Sequence, residues 1–127
     1  MKPILLPLLV SVFLLAACAP TADKIPAVSD PSQPITVKAG ETFSVVLESN
    51  PTTGYHWDVF GELSGAQFIG VEYLSTSKPG LVGGGGVDVW TFKAVSVGQS
   101  QITLGYYPPS NDPVEPQQTV TFTVSIK

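Results

Sequence analysis

Val120, Phe122, Val124 and Ile126 are each separated by a single polar residue. A period of two is the signature of an extended strand with one buried face. The same alternation recurs upstream. Phe43, Val45 and Leu47 share one face, as do Tyr55, Trp57 and Val59. Trp90, Phe92 and Ala94 alternate with Val87, Val89, Thr91 and Lys93, so the first set is expected to be core. Ile102 and Leu104 are expected to point inward. Seven strands are predicted in all, over 35–38, 42–48, 55–60, about 68–74, 87–95, 100–106 and 118–126. Twelve Gly and twelve Pro punctuate them, which suits many turns and few helices. One helical turn over Glu62, Leu63 and Ser64 is compatible with the composition there. Short strands at regular spacing argue an all-β, immunoglobulin-like β-sandwich of about seven antiparallel strands, spanning residues 35–127 and expected to be monomeric.

Charge and cysteine usage remove whole function classes. The chain has no Arg and six scattered Lys, with a formal net charge of −4, so no basic patch for nucleic acid can be assembled. Cys18 is the only Cys. An internal disulfide, a Cys nucleophile in the folded domain and a Cys-based metal site are all excluded. His56 is the only His. No G-x-S-x-G elbow exists for it to serve, and alternation turns it outward from Tyr55 and Trp57. One His without thiols is too few ligands for zinc. Neither catalysis nor a cofactor is expected. Tyr73, Trp57 and Trp90 read as core, and Asp88 as a solvated strand residue or a rim contact.

The N-terminus is a targeting segment. Lys2 precedes an apolar run over 3–17 that is too short for a spanning helix. Its end, Leu15-Ala16-Ala17-Cys18, resembles the lipobox of bacterial lipoproteins. That resemblance implies a signal peptide over 1–17, cleavage before Cys18, and acylation of the new N-terminal residue. Several acyl chains anchor firmly, at about 0.8 kcal/mol per buried CH₂. Ala19 rather than Asp follows the Cys, and by resemblance to enterobacterial lipoproteins this points to the outer membrane of a bacterial cell envelope. Pro20, Pro26, Pro31 and Pro34 then lie among small and polar residues. Residues 18–34 are therefore expected to be a disordered tether.

If successive strands alternate in direction, three loops leave the sandwich at one end. The first, Asn50-Pro51-Thr52-Thr53-Gly54 before Tyr55, holds no charge between Glu48 and Asp58. Pro51 fixes its own φ, Asn50 can close an Asx-type turn, and Gly54 permits positive φ. Such a loop is either an ordinary hairpin connection or a stiff, uncharged tip suited to a dry cleft. The second loop ends in Gly83, Gly84, Gly85 and Gly86. It is either a floppy tip or a place where backbone approaches a partner closely. It is not a phosphate-binding loop, since no Gly-Lys-Ser/Thr follows. The third is the Pro-rich run after Tyr107, Pro108 and Pro109.

These residues together resemble the chagasin-like inhibitors of papain-family cysteine proteases. Asn50-Pro51-Thr52-Thr53-Gly54-Tyr55 with Trp57 is similar to the family's first loop motif, and Gly83 to Gly86 to its glycine-rich second loop. Trp90-Thr91-Phe92-Lys93-Ala94, then Gly98, Ile102 and Leu104, is similar to the strands that follow. The resemblance runs from about Ile35 to the C-terminus. It implies a reversible, non-covalent inhibitor whose three loops enter the cleft of a papain-like protease, with the first loop at the catalytic Cys–His pair. One departure stands out. The family's third loop carries Arg-Pro-Trp, whereas this chain has Tyr107, Pro108 and Pro109. An envelope-anchored binding or adhesion module without inhibitory activity is the competing reading.

Overall fold

The computed structural model describes residues 25–76 and 84–127. Eight strands form in chain order: β1 (Ala27–Val28), β2 (Ile35–Val37), β3 (Thr42–Ser49), β4 (His56–Val59), β5 (Ala66–Ser75), β6 (Gly86–Ala94), β7 (Gly98–Tyr107) and β8 (Gln118–Ile126). They build two four-stranded sheets, ordered β1-β3-β6-β5 and β2-β8-β7-β4. The two sheets face each other as an immunoglobulin-like sandwich. The pairings β3–β6, β5–β6, β4–β7 and β7–β8 are antiparallel. β1 joins β3, and β2 joins β8, in parallel.

Alternation decides what is buried. Phe43, Val45, Phe92, Ala94, Ile102, Leu104, Phe122 and Val124 are fully buried. Each of the large side chains among them contributes about 1.5–3 kcal/mol by leaving water. Phe43 stacks on Phe92 across the β3–β6 pair, with ring centroids 5.7 Å apart. Trp57 and Trp90 are buried as expected.

Four local expectations are corrected. The stretch read as a disordered tether contains β1, whose Ala27 and Val28 pair with Ser44 and Val45. The Ser44 N–H donates to the Pro26 carbonyl at 2.8 Å, so an otherwise open β3 edge finds acceptors. A turn then brings the chain to β2. There the Ser32 hydroxyl and N–H both donate to Asp30 Oδ1, which holds the Asp30 carboxyl below its usual range. Tyr73 is not core but 37% exposed. β5 is the outer strand of its sheet, and Phe68, Val71 and Tyr73 along it keep open surface. Residues 62–64 form no helical turn, since 62 and 63 are irregular and Ser64 lies in a bend, bounded by Gly61 and Gly65 at φ 81° and 74°. β4 begins at His56 instead of Tyr55, because the Tyr55 N–H donates to Thr53 Oγ1 within the preceding loop.

Candidate functional site: the three-loop end

The first loop is a self-bonded 3₁₀ turn, Pro51–Thr53. Asn50 sits before it with φ −137° and ψ 89°, the extended geometry imposed on a residue that precedes proline. Its Oδ1 accepts from Thr52 N at 3.3 Å and from Thr52 Oγ1 at 2.6 Å. Its carbonyl accepts from Thr53 N at 3.1 Å and Thr53 Oγ1 at 2.7 Å. Gly54 closes the turn at φ 78°, with its N–H on the Pro51 carbonyl at 3.1 Å. Pro51, Thr52, Thr53 and Gly54 are all exposed. The loop thus projects from the domain, yet its polar groups are largely satisfied within it. The Thr53 hydroxyl is part of this scaffold, donating to one backbone group and accepting from another, a role that counting turn residues does not reveal.

Behind the loop lies an aromatic base. Trp57 Nε1 donates to the Glu48 carbonyl at 2.8 Å, tying β4 in one sheet to the end of β3 in the other. Tyr106 packs between Trp57 and Tyr55, at centroid distances of 4.8 Å and 5.1 Å. Tyr106 therefore belongs to the base and does not extend from the tip. His56 faces outward and stacks on Tyr107 at 5.6 Å.

The second loop is described from Gly84 onward, and Gly83 lies outside the described residues. Gly84 and Gly85 are half-buried. The Gly85 carbonyl accepts from Thr76 N at 3.3 Å and from Thr76 Oγ1 at 3.2 Å. Gly86 is not at the tip. It is buried as the first residue of β6, paired with Ser49 on one side and Ser75 on the other. A Cβ there would run into the Leu74 carbonyl and the Tyr73 ring. Its lack of a side chain serves strand packing, since a covered residue presents no surface to a partner.

In the third loop, Tyr107 is the last residue of β7, paired with His56. Pro108 is half-buried and Pro109 exposed. A Cβ on Gly54 would lie 3.0 Å from Pro109 Cβ and 3.3 Å from Pro109 Cγ. The first and third loops therefore touch, through the one residue of the first loop that has no side chain.

Strand pairing places all three loops at one end, as the alternation of strand direction predicts. Ser49, Gly86 and Ser75 stand in one row across one sheet. Trp57, Tyr106 and Gln118 stand in a row across the other. Between the two rows the sandwich opens into a cavity of ≈ 540 Å³, which sequence reasoning did not anticipate. Among the described residues, no group of three His, Cys, Asp or Glu could hold a metal ion.

A family model described as chagasin family peptidase inhibitor I42 matches residues 36–125. Amoebiasin-1 of Entamoeba histolytica is 36% identical over 76 residues, which are 59% of this chain and 72% of that protein. Among solved structures, the cysteine protease inhibitor EhICP2 of Entamoeba histolytica superposes with a TM-score of 0.65 at 24% identity, covering 81% of this chain and 96% of its own. Amebosin gives 0.64 at 28% identity, covering 82% and 99%. PbICP-C, solved in complex with falcipain-2, gives 0.53 at 19% identity, covering 84% and 93%. At under a quarter identity, the first and last of these speak to the fold alone.

Proposed function

Because this chain belongs to the chagasin family of peptidase inhibitors, and is not an enzyme, we propose that its three-loop end docks reversibly into the active-site cleft of a papain-like cysteine protease. No covalent bond and no cofactor are involved. The observation that carries this reading is the internal bonding of the first loop. Asn50 and Thr53 spend their polar groups on the loop itself, so an exposed and uncharged tip is ordered before any partner arrives. A pre-ordered loop loses little entropy on docking, and one without charge enters a dry cleft without desolvating an ion. Thr53 is assigned to the region of the catalytic thiol. Asn50, Pro51, Thr52, Gly54 and Tyr55 support it, while Gly84 and Gly85 on one side and Pro108 and Pro109 on the other contact the walls. Membership of a family of peptidase inhibitors supports a peptidase as the partner here. The N-terminal segment adds a location. Residues 1–17 act as a lipoprotein signal peptide and Cys18 carries the lipid, which anchors the inhibitor in a bacterial cell envelope at the outer membrane.

Inhibition constants of the full chain against a panel of papain-like proteases test this, with Thr53→Arg and Thr53→Ser beside the wild type. Arginine forces a long charged side chain into a confined site, where an unpaired charge costs about 3–5 kcal/mol. At 1.4 kcal/mol per tenfold, inhibition is expected to fall by about two to three and a half orders of magnitude. Serine keeps the hydroxyl and should keep most of the activity. Unchanged inhibition by a folded Thr53→Arg variant removes the loop from the mechanism. A wild type that inhibits no member of the panel points to a binding module of another kind.

A further inference from the structure

The chain enters the sandwich at the end away from the three loops. β1 runs parallel to β3, with Ala27 beside Ser44 and Val28 beside Val45, and β3 runs toward Asn50. Ile25 therefore lies level with the start of β3, where it is exposed. Residues 19–24 separate it from Cys18. At no more than about 3.6 Å per residue, Ile25 stands within about 25 Å of the residue assigned to carry the lipid. The eight residues of β3 themselves span about 25 Å. To bring the three loops to the bilayer, this link would have to run fully extended along the whole of β3, and the first loop projects further still. With the opposite end toward the bilayer, no such extension is required.

Charge and apolar surface divide in the same direction. Strand register puts Glu48, Asp58, Glu72 and Asp88 in the half of the sandwich nearer the loops, and Asp112 and Glu115 lie in the third loop itself. Among the described residues, no lysine lies in that half. Lys38, Lys93 and Lys127 lie at the other end, beside Glu41 and Glu62. Lys93 is level with Thr42, and the Lys127 carbonyl accepts from Ala39 N at 3.0 Å in the turn before β3. The turn between β6 and β7 is at this end too, where the Val95 N–H donates to the Gly65 carbonyl at 2.8 Å. It presents Val95 and Val97, which are 49% and 74% exposed. An anionic bilayer repels carboxylates brought within about 10 Å, the screening length at 0.1 M salt. The loop half meets that repulsion in full, whereas the end that carries the lysines and the two valines does not.

We propose that the end of the sandwich opposite the three loops, tipped by Val95 and Val97, is a membrane-facing surface, and that the anchored domain stands on the lipid bilayer with its loops turned to the aqueous side. This inference rests on the lipid-anchor part of the reading above and not on the inhibitor part. Tether reach holds this end near the lipid headgroups, the valine side chains lie among them, and repulsion of the acidic half keeps the domain upright. The loops then meet proteases that arrive from the aqueous compartment.

Acylation consumes the Cys18 thiol, so a cysteine introduced into the full lipidated chain is its one free thiol. Val97→Cys and Asn111→Cys, both at exposed positions, mark the two ends without touching the core. Each is labelled with a small fluorophore and reconstituted into vesicles of phosphatidylethanolamine and phosphatidylglycerol that carry a headgroup-attached nitroxide quencher. Thermal melts establish that both are folded, and flotation that both are anchored. The label at Val97→Cys is expected to lose half or more of its emission, and the label at Asn111→Cys to lose none. Equal or greater quenching at Asn111→Cys overturns the proposal, since the domain then lies on its side or loops down. Quenching at neither site in a protein that floats with the vesicles also overturns it, because the domain then stands clear of the bilayer. A wild type that carries no lipid and does not float overturns it together with the anchor. The labels report orientation without a protease, so an anchored protein that shows the expected quenching but inhibits nothing removes the inhibitor reading and still supports this one.

Discussion

Gly54→Ala tests whether the first and third loops behave as one unit. Two costs follow from the structure. Gly54 has φ 78°, a left-handed conformation that costs a residue with a Cβ about 1–2 kcal/mol. The new Cβ would also lie 3.0 Å from Pro109 Cβ, closer than such atoms ordinarily approach, so Pro109 must give way by a few tenths of an ångström. Against these, replacing glycine restricts the unfolded chain and returns about 0.4–1 kcal/mol. The net destabilisation is about 1–2 kcal/mol, and each kcal/mol lowers the melting temperature of a domain this size by about 4–8 °C. Because the strain lies in an exposed turn, part of it relaxes locally, and inhibition should report it more sharply than melting does. A fall in Tm of under about 15 °C is expected, together with at least a tenfold rise in inhibition constant. Asparagine tolerates the left-handed region better than alanine, so Gly54→Asn retains the Pro109 contact while reducing the backbone cost. Pro109→Gly in the Gly54→Ala background should recover the steric part, seen as coupling in a double-mutant cycle. A Gly54→Ala variant that melts and inhibits like the wild type refutes the reasoning for both turn and contact.

The two tryptophans should respond differently to phenylalanine. Trp57 Nε1 donates to the Glu48 carbonyl, whereas Trp90 Nε1 is buried with no partner among the described residues. Urea unfolding should therefore show Trp57→Phe less stable than Trp90→Phe by about 1 kcal/mol, and equal losses would contradict that assignment. In the third loop, Tyr107→Arg with Pro109→Trp supplies an aromatic anchor and should tighten binding to at least one papain-like protease by about 1–2 kcal/mol. Weaker binding to every protease tested would mean that the Pro109–Gly54 contact matters more than an added anchor. Cys18→Ala should abolish lipidation and release the protein from the membrane fraction, and a variant that still carries lipid and sediments with the outer membrane would overturn the anchor.

Some features of this protein depend only on near neighbours in the chain, and these are legible in its sequence. Alternation along 118–126 and 87–95 settles which side chains face the core, since successive residues of a strand point to opposite faces whatever the strand pairs with. The turn at Asn50 follows from an amide beside a proline, and the positive φ of Gly54 from the absence of a Cβ. Other features depend on what lies across the fold. Tyr73 looks like core in a strand read alone, yet it is partly open because β5 falls at a sheet edge. Ala27 and Val28 carry no strand pattern of their own and become a strand only because β3 offers an unpaired edge. Gly86 reads as one more loop glycine until Tyr73 and Leu74 are seen to close over it. The contact of Gly54 with Pro109 and the packing of Tyr106 between Tyr55 and Trp57 join residues that are far apart in the chain. Local stereochemistry shaped each loop, but the distance between loops is a property of sheet pairing and sandwich closure, which no single stretch of sequence contains.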